Sequence, residues 1–93
     1  MFYFESIEPT RNRFRFYRVT VDRDLFAFTV TVTWGRLGSY SQRRILELSD
    51  PNEVLAYLKT IIKRRFNHRY NLVETQENPH LDLTPALESA KIA

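Results

Sequence analysis

From Phe26 to Trp34 every second residue is large and apolar. Phe26, Phe28, Val30, Val32 and Trp34 alternate with Ala27, Thr29, Thr31 and Thr33. A strand turns successive side chains to opposite faces, so this run predicts a strand with one buried face and one wet face. A helix would scatter the same residues around its circumference. No other stretch restricts the fold as tightly. Upstream, Tyr17, Val19 and Val21 alternate with Arg18, Thr20 and Asp22, a second strand, and "DRDL" links the two as a hairpin. Downstream, "SQRRILEL" over residues 41–48 predicts a third strand, joined through the turn from Gly38 to Ser41. Connections this short require antiparallel neighbours.

The pattern then changes period. In "SDPNEVLAYLKTIIKRRFNHRY", Asp50 is a candidate N-cap, Pro51 suits the first helical position and Glu53 closes a capping box. Val54, Leu55, Leu58, Ile61, Ile62 and then Arg65 or Phe66 follow at helical spacing, with Lys59, Thr60, Lys63, Arg64 and Asn67 opposite. The spacing predicts a helix of about 17 residues, ~25 Å long. Its cationic last turns, "KRRFNHR", complement the helix dipole. "YNLVE" offers a further short strand, and Thr84-Pro85 opens a short helix in the tail. Such a helix is marginal alone. It docks on the body, docks on a partner, or stays disordered. The expected fold is α+β, an antiparallel sheet with one long helix packed across one face. Residues 1–73 form the domain and residues 74–93 an acidic C-terminal tail.

The 93 residues support one core. The chain has no cysteine, hence no disulfide framework and no thiolate metal site. "MFYFESIEP" carries Glu5 and Glu8 and lacks a basic leader pattern, and no apolar run reaches the ~20 residues that span a bilayer. The expectation is a cytoplasmic protein without membrane association. Catalysis needs converging reactive groups. His68 and His80 lie in unrelated contexts, Asp22 and Asp24 flank a solvated turn, and two glycines do not build a phosphate-cradling loop. The sequence therefore predicts no enzymatic activity, no cofactor, no metal site and no small-molecule substrate.

Charge points to a polyanion. Residues 1–70 hold 13 Lys and Arg against seven Asp and Glu, whereas residues 71–93 hold one Lys against four acids. Eleven of the 14 basic residues are arginine, whose planar fork suits phosphate and carboxylate. "RNRFRFYR", residues 11–18, interleaves arginines with rings, the combination that contacts phosphates and stacks on sugars or bases. An ordinary strand with core aromatics and solvated arginines has the same composition. Phe14 and Phe16 are out of phase with Tyr17, Val19 and Val21. Either a bulge lies near Phe16 or rings reach both faces. Trp34 has a similar ambiguity. Alternation assigns it to the core, but it ends its run. Gly35 beside it lets another backbone or a ligand approach closely, and Arg36 follows on the same face if the strand continues. The reading adopted is an indole at a rim, partly backed by the core.

The residues Trp34-Gly35-Arg36, followed by Gly38 and Gln42, resemble the signature of the WGR domain, a module of poly(ADP-ribose) polymerases and of small stand-alone bacterial proteins. "RFRFYRVTVDRDLF" is similar to the family's first strands and "DPNEVLAYLKTIIKRRFNHRY" to its helix and following tyrosine, so the likeness covers residues 2 to about 73. Ser41 replaces the usual second glycine of the turn, and Arg69 replaces a small residue common before Tyr70. The resemblance implies an antiparallel sheet with a packed helix and binding of DNA at breaks. Trp34 would stack on the terminal sugar near a 5′ phosphate, and Arg36 would meet a phosphate or a partner domain. Arg15 stands where the polymerases often carry lysine. With Arg43 and Arg44 from the basic strand, the expected nucleic-acid-binding set is Trp34, Gly35, Arg36, Arg43, Arg44 and Arg15. The competing expectation is a protein partner or homodimer, docked through the acidic tail and an apolar patch of Phe2, Phe4, Phe14 and Phe16.

Overall fold

A computed structural model describes residues 1–78 and 81–92, so His80 lies outside the described residues. Strands β1 (Phe2–Glu8), β2 (Arg13–Arg23), β3 (Phe28–Arg36) and β4 (Ser41–Leu48) lead into helix α1 (Pro51–Asn67). Strand β5 (Asn71–Thr75) and helix α2 (Thr84–Ile92) follow. The five strands form one antiparallel sheet in the order β4-β3-β2-β1-β5. This is the α+β fold that the sequence predicts.

Directly paired residues in antiparallel strands share a face. The register sets Val19 against Val32 and Phe2, Val21 against Val30, and Tyr17 against Trp34 and Phe4. The predicted inward set of β2 and β3 thus becomes one apolar surface. Val54, Leu58, Ile61 and Ile62 of α1 are buried against it. Burying each such side chain contributes roughly 1.5–3 kcal/mol. The helix begins at the predicted Asp50-Pro51, with the Asp50 carboxylate accepting the Asn52 N–H at 2.8 Å in place of the reciprocal capping-box bonds expected with Glu53. At its other end the Tyr70 N–H donates to the Arg65 carbonyl and the Arg69 N–H to the Phe66 carbonyl. This closure needs a left-handed residue, and Arg69 supplies it at φ 65° where glycine is usual.

Two expectations change, one open alternative is decided, and one strand is new. Strand β1 is not apparent in the sequence because Phe2 and Phe4 are followed inward by Ser6. That serine is buried, donates to the Arg69 carbonyl at 2.9 Å and accepts from Arg13 Nε at 2.7 Å. Phe26 shares the core phase but is 86 % exposed. It sits in the β2–β3 turn, where the Asp24 carboxylate accepts the backbone N–H groups of Phe26 and Ala27. Those two bonds hold the Asp24 carboxyl below the usual carboxylate range. Phe14 and Phe16 reach the face opposite the core without a bulge, since β2 pairs in unbroken register on both sides. Phe16 stacks on Tyr3 there, with ring centroids 6.4 Å apart. Phe2 and Phe4 are core residues, so the four phenylalanines do not form one patch.

The tail joins the body. Strand β5 continues past residue 73 to Thr75, and α2 lies against α1 with Leu83 and Ala86 buried. No helix among the described residues is long and apolar enough to cross a membrane.

Candidate nucleic-acid interface

The register brings the start of β2, the end of β3 and the start of β4 to one end of the sheet. The last turns of α1 lie over that end. Trp34 is half-buried there, its ring centroid 6.4 Å from that of Tyr17 with 30° between the planes. Pairing sets Arg44 opposite Val32, hence on the Trp34 face. These side chains and the helix enclose a cleft of about 330 Å³, which Tyr57, Arg64 and Arg65 of α1 complete.

Arg65 is the central cation. Its guanidinium carbon is 4.3 Å from the Tyr17 ring centroid and 5.3 Å from that of Tyr70. The two tyrosine rings meet edge to face at 6.2 Å. Arg13 stands 5.5 Å from the Tyr70 ring. A continuous ladder therefore runs Trp34, Tyr17, Arg65, Tyr70, Arg13. A guanidinium lying on a ring gains cation–π attraction and keeps its in-plane N–H edge available to an oxygen. Arg65 Nε is sealed from solvent and finds no acceptor among the described residues. A buried donor in that state costs about 1–3 kcal/mol. Burial also pushes the Tyr17 phenol up from its ordinary value, keeping it neutral beside these cations.

A second cleft of about 300 Å³ adjoins the first, and Arg65 lines both. Arg11, Arg13, Arg15 and Arg69 face it, with Asn67, His68 and Tyr70. Among the described residues, no carboxylate lines either cleft. Glu8 lies close by, 3.6 Å from Arg11 and 3.7 Å from Arg69.

The sequence-predicted residues separate. Trp34 and Arg44 line the first cleft and Arg15 the second. Arg36 lines neither. Its guanidinium donates to the carbonyl and Oδ1 of Asn12, both at 3.0 Å, and lies 5.3 Å from the Phe14 ring, tying the end of β3 to the start of β2. Arg43 pairs with Thr33, on the face away from α1. Gly35 admits a backbone rather than a ligand. A Cβ there would lie 3.0 Å from the Tyr40 carbonyl oxygen and 3.1 Å from Ser41 Cα. Sequence reasoning left Arg11, Arg13, Arg64 and Arg69 out of the expected set, although Arg11 and Arg13 lie in the basic-aromatic stretch of residues 11–18. It also missed Arg65, although a cation four residues after Ile61 and three after Ile62 stands in the apolar register of the helix. No group of three or more His, Cys, Asp or Glu among the described residues is placed to hold a metal ion.

The family model described as the WGR domain matches residues 1–77 of the 93. No curated protein matches the chain.

Proposed function

The chain belongs to the WGR domain family, and from that premise we propose that it is a non-enzymatic nucleic-acid-binding module that takes a DNA end or nick in the cleft beside Trp34. The family's module binds nucleic acid in poly(ADP-ribose) polymerases. The observation that carries the reading here is the composition of one cleft. A half-buried indole and the guanidinium-bearing residues Arg44, Arg64 and Arg65 line about 330 Å³, with no carboxylate among the described lining residues. An apolar ring face covers a sugar or base, and guanidinium edges pair with phosphate oxygens. A terminal nucleotide offers both surfaces within a short span, and a 5′-terminal phosphate adds charge where the cations gather. Trp34 is the stacking platform. Arg44, Arg64 and Arg65 take the phosphate. Gly35 and Arg36 shape and brace the hairpin that carries the indole. Arg43, on the far face, contributes only to the general field.

The test compares a nicked, 5′-phosphorylated duplex with an uninterrupted one. Trp34 is the only indole, so its emission reports directly on the cleft. Emission is expected to quench on adding the nicked duplex. Trp34→Ala, followed by anisotropy of a labelled duplex, is expected to reduce the preference for the nick about tenfold, within the range for loss of one stacking ring. Absence of any association at low ionic strength would overturn the proposal. The competing protein-docking reading loses its apolar patch, because Phe2 and Phe4 lie in the core.

A further inference from the structure

We infer that the second cleft is a phosphate subsite for the same strand, so that the chain grips an internal phosphodiester as well as the terminus. This inference rests on the reading of the first cleft given above. Its own observation is Arg69. That residue closes α1 in the left-handed conformation, φ 65°, where an L side chain costs roughly 1–2 kcal/mol and glycine costs nothing sterically. The helix end itself needs only the backbone: the Arg69 N–H to Phe66 and the Tyr70 N–H to Arg65. The guanidinium is not required for the closure, yet it faces a cleft already lined by Arg11, Arg13 and Arg15. Strain at one residue that adds a charge to a cluster of like charges, where the single carboxylate of Glu8 is shared between Arg11 and Arg69, is the mark of a site arranged for a further counter-charge.

The backbone around it is fixed. The Arg69 carbonyl accepts the Ser6 hydroxyl, and Arg13 donates to Ser6 Oγ and to the His68 carbonyl at 2.8 Å. Those bonds use two of the five donors of Arg13, and they hold β1, β2 and the end of α1 as one wall. Clustered guanidiniums on a rigid wall repel one another unless anions lie among them, and Glu8 supplies one negative charge to Arg11 and Arg69 together. Arg65 belongs to both clefts, so a strand whose terminal nucleotide rests on Trp34 has a cationic path past Arg65 toward Arg69. The ligand class is a single strand carrying at least two phosphates, the second a phosphodiester.

Arg69→Gly removes the guanidinium and relieves the strain, so the fold is retained. Trp34 emission is titrated in wild type and variant with a 5′-phosphorylated deoxytrinucleotide and with a deoxynucleoside 5′-monophosphate. The variant is expected to bind the trinucleotide roughly tenfold more weakly, the scale of one charge-assisted hydrogen bond. The slope of log affinity against log salt is expected to flatten by about 0.7, one single-strand phosphate contact. Binding of the monophosphate is expected to stay unchanged. Equal loss for both ligands, or no loss for the trinucleotide, overturns the second subsite while leaving the first cleft intact. Calorimetry with inorganic phosphate provides a further arm. If Arg69→Gly weakens free phosphate but not the trinucleotide, the cleft is a simple anion site and the inference falls. If neither nucleotide ligand moves the wild-type emission, the reading of the first cleft falls and takes this one with it.

Discussion

Gly35 and Arg69 occupy opposite kinds of position. At Gly35 a methyl group would fit only if the backbone of its own hairpin gave way by a few tenths of an ångström, and both near contacts, the Tyr40 oxygen and Ser41 Cα, are main-chain atoms. They do not swing aside as a side-chain end would. Gly35→Ala is therefore expected to destabilise the protein by about 1–3 kcal/mol, the usual range for overpacking. Denaturant unfolding at unchanged m-value checks this. A cost near zero would mean that the glycine is there for a ligand instead of the turn. At Arg69 space is available but the conformation suits glycine. The first residue shapes the hairpin behind Trp34, and the second aims a guanidinium into a cleft. In the sequence Gly35 was conspicuous, since the chain has only two glycines. Arg69 was visible only as an unusual residue before Tyr70. Its left-handed backbone depends on how the helix ends, which no local pattern encodes.

Elements with both ends marked in sequence were legible in full. Helix α1 spans Pro51–Asn67, the span its apolar period and Asp50-Pro51 start predict, and Asp50 caps it through the Asn52 N–H. Asp50→Ala is expected to cost about 1 kcal/mol, as loss of one N-cap does. Asp50→Asn keeps an acceptor oxygen and is expected to restore most of that, read as a thermal midpoint shift. Strand β4 was equally legible, because a turn and a helix cap bracket it. Strand β1 was not, since its third inward position is Ser6. That hydroxyl is satisfied by Arg13 and by Arg69, 63 residues away. Long-range polar satisfaction leaves no local periodicity. The same holds for the clefts. Trp34 and Arg15 entered the expected set through the family resemblance and Arg44 through its basic strand, since alternation alone assigned Trp34 to the core. Arg64, Arg65 and Arg69 join them only once α1 lies across the sheet, whereas Arg13 shares the strand face of Arg15. Of these, Arg65 left a trace as a cation in the apolar register of the helix, and Arg69 as an unusual residue before Tyr70.

At the scale of the molecule most of the arginines gather at one end of the sheet, Arg23 beside the β2–β3 turn being an exception. The start of β2, the end of β3 and the C-terminus of α1 meet at one end, bringing Arg11, Arg13, Arg15, Arg36, Arg64, Arg65 and Arg69 there. Asp22, Asp24 and Glu74 lie toward the other, beside the β2–β3 turn and the end of β5. A field split in this way orients a polyanion during approach and raises its association rate. Glu8 opposes it locally. It is an acid at the arginine end, within 3.7 Å of both Arg11 and Arg69, and both arginine side chains are mostly exposed. Pairs so exposed add little to stability. Their larger effect is on a ligand, because Glu8 screens two of the guanidiniums facing the second cleft. Glu8→Gln removes that charge and keeps the shape. Taking ~8 Å between Glu8 and a bound phosphate and an effective dielectric of ~40, the relieved repulsion is about 1 kcal/mol, or roughly fivefold in affinity. The gain should appear at low salt and shrink toward nothing near 1 M, where the screening length falls to about 3 Å. It should favour the trinucleotide over the monophosphate, since only the longer ligand reaches Arg69. Anisotropy titrations at several salt concentrations measure this. A Glu8→Gln variant that binds no better at any ionic strength would mean that the strand leaves the Trp34 cleft in another direction.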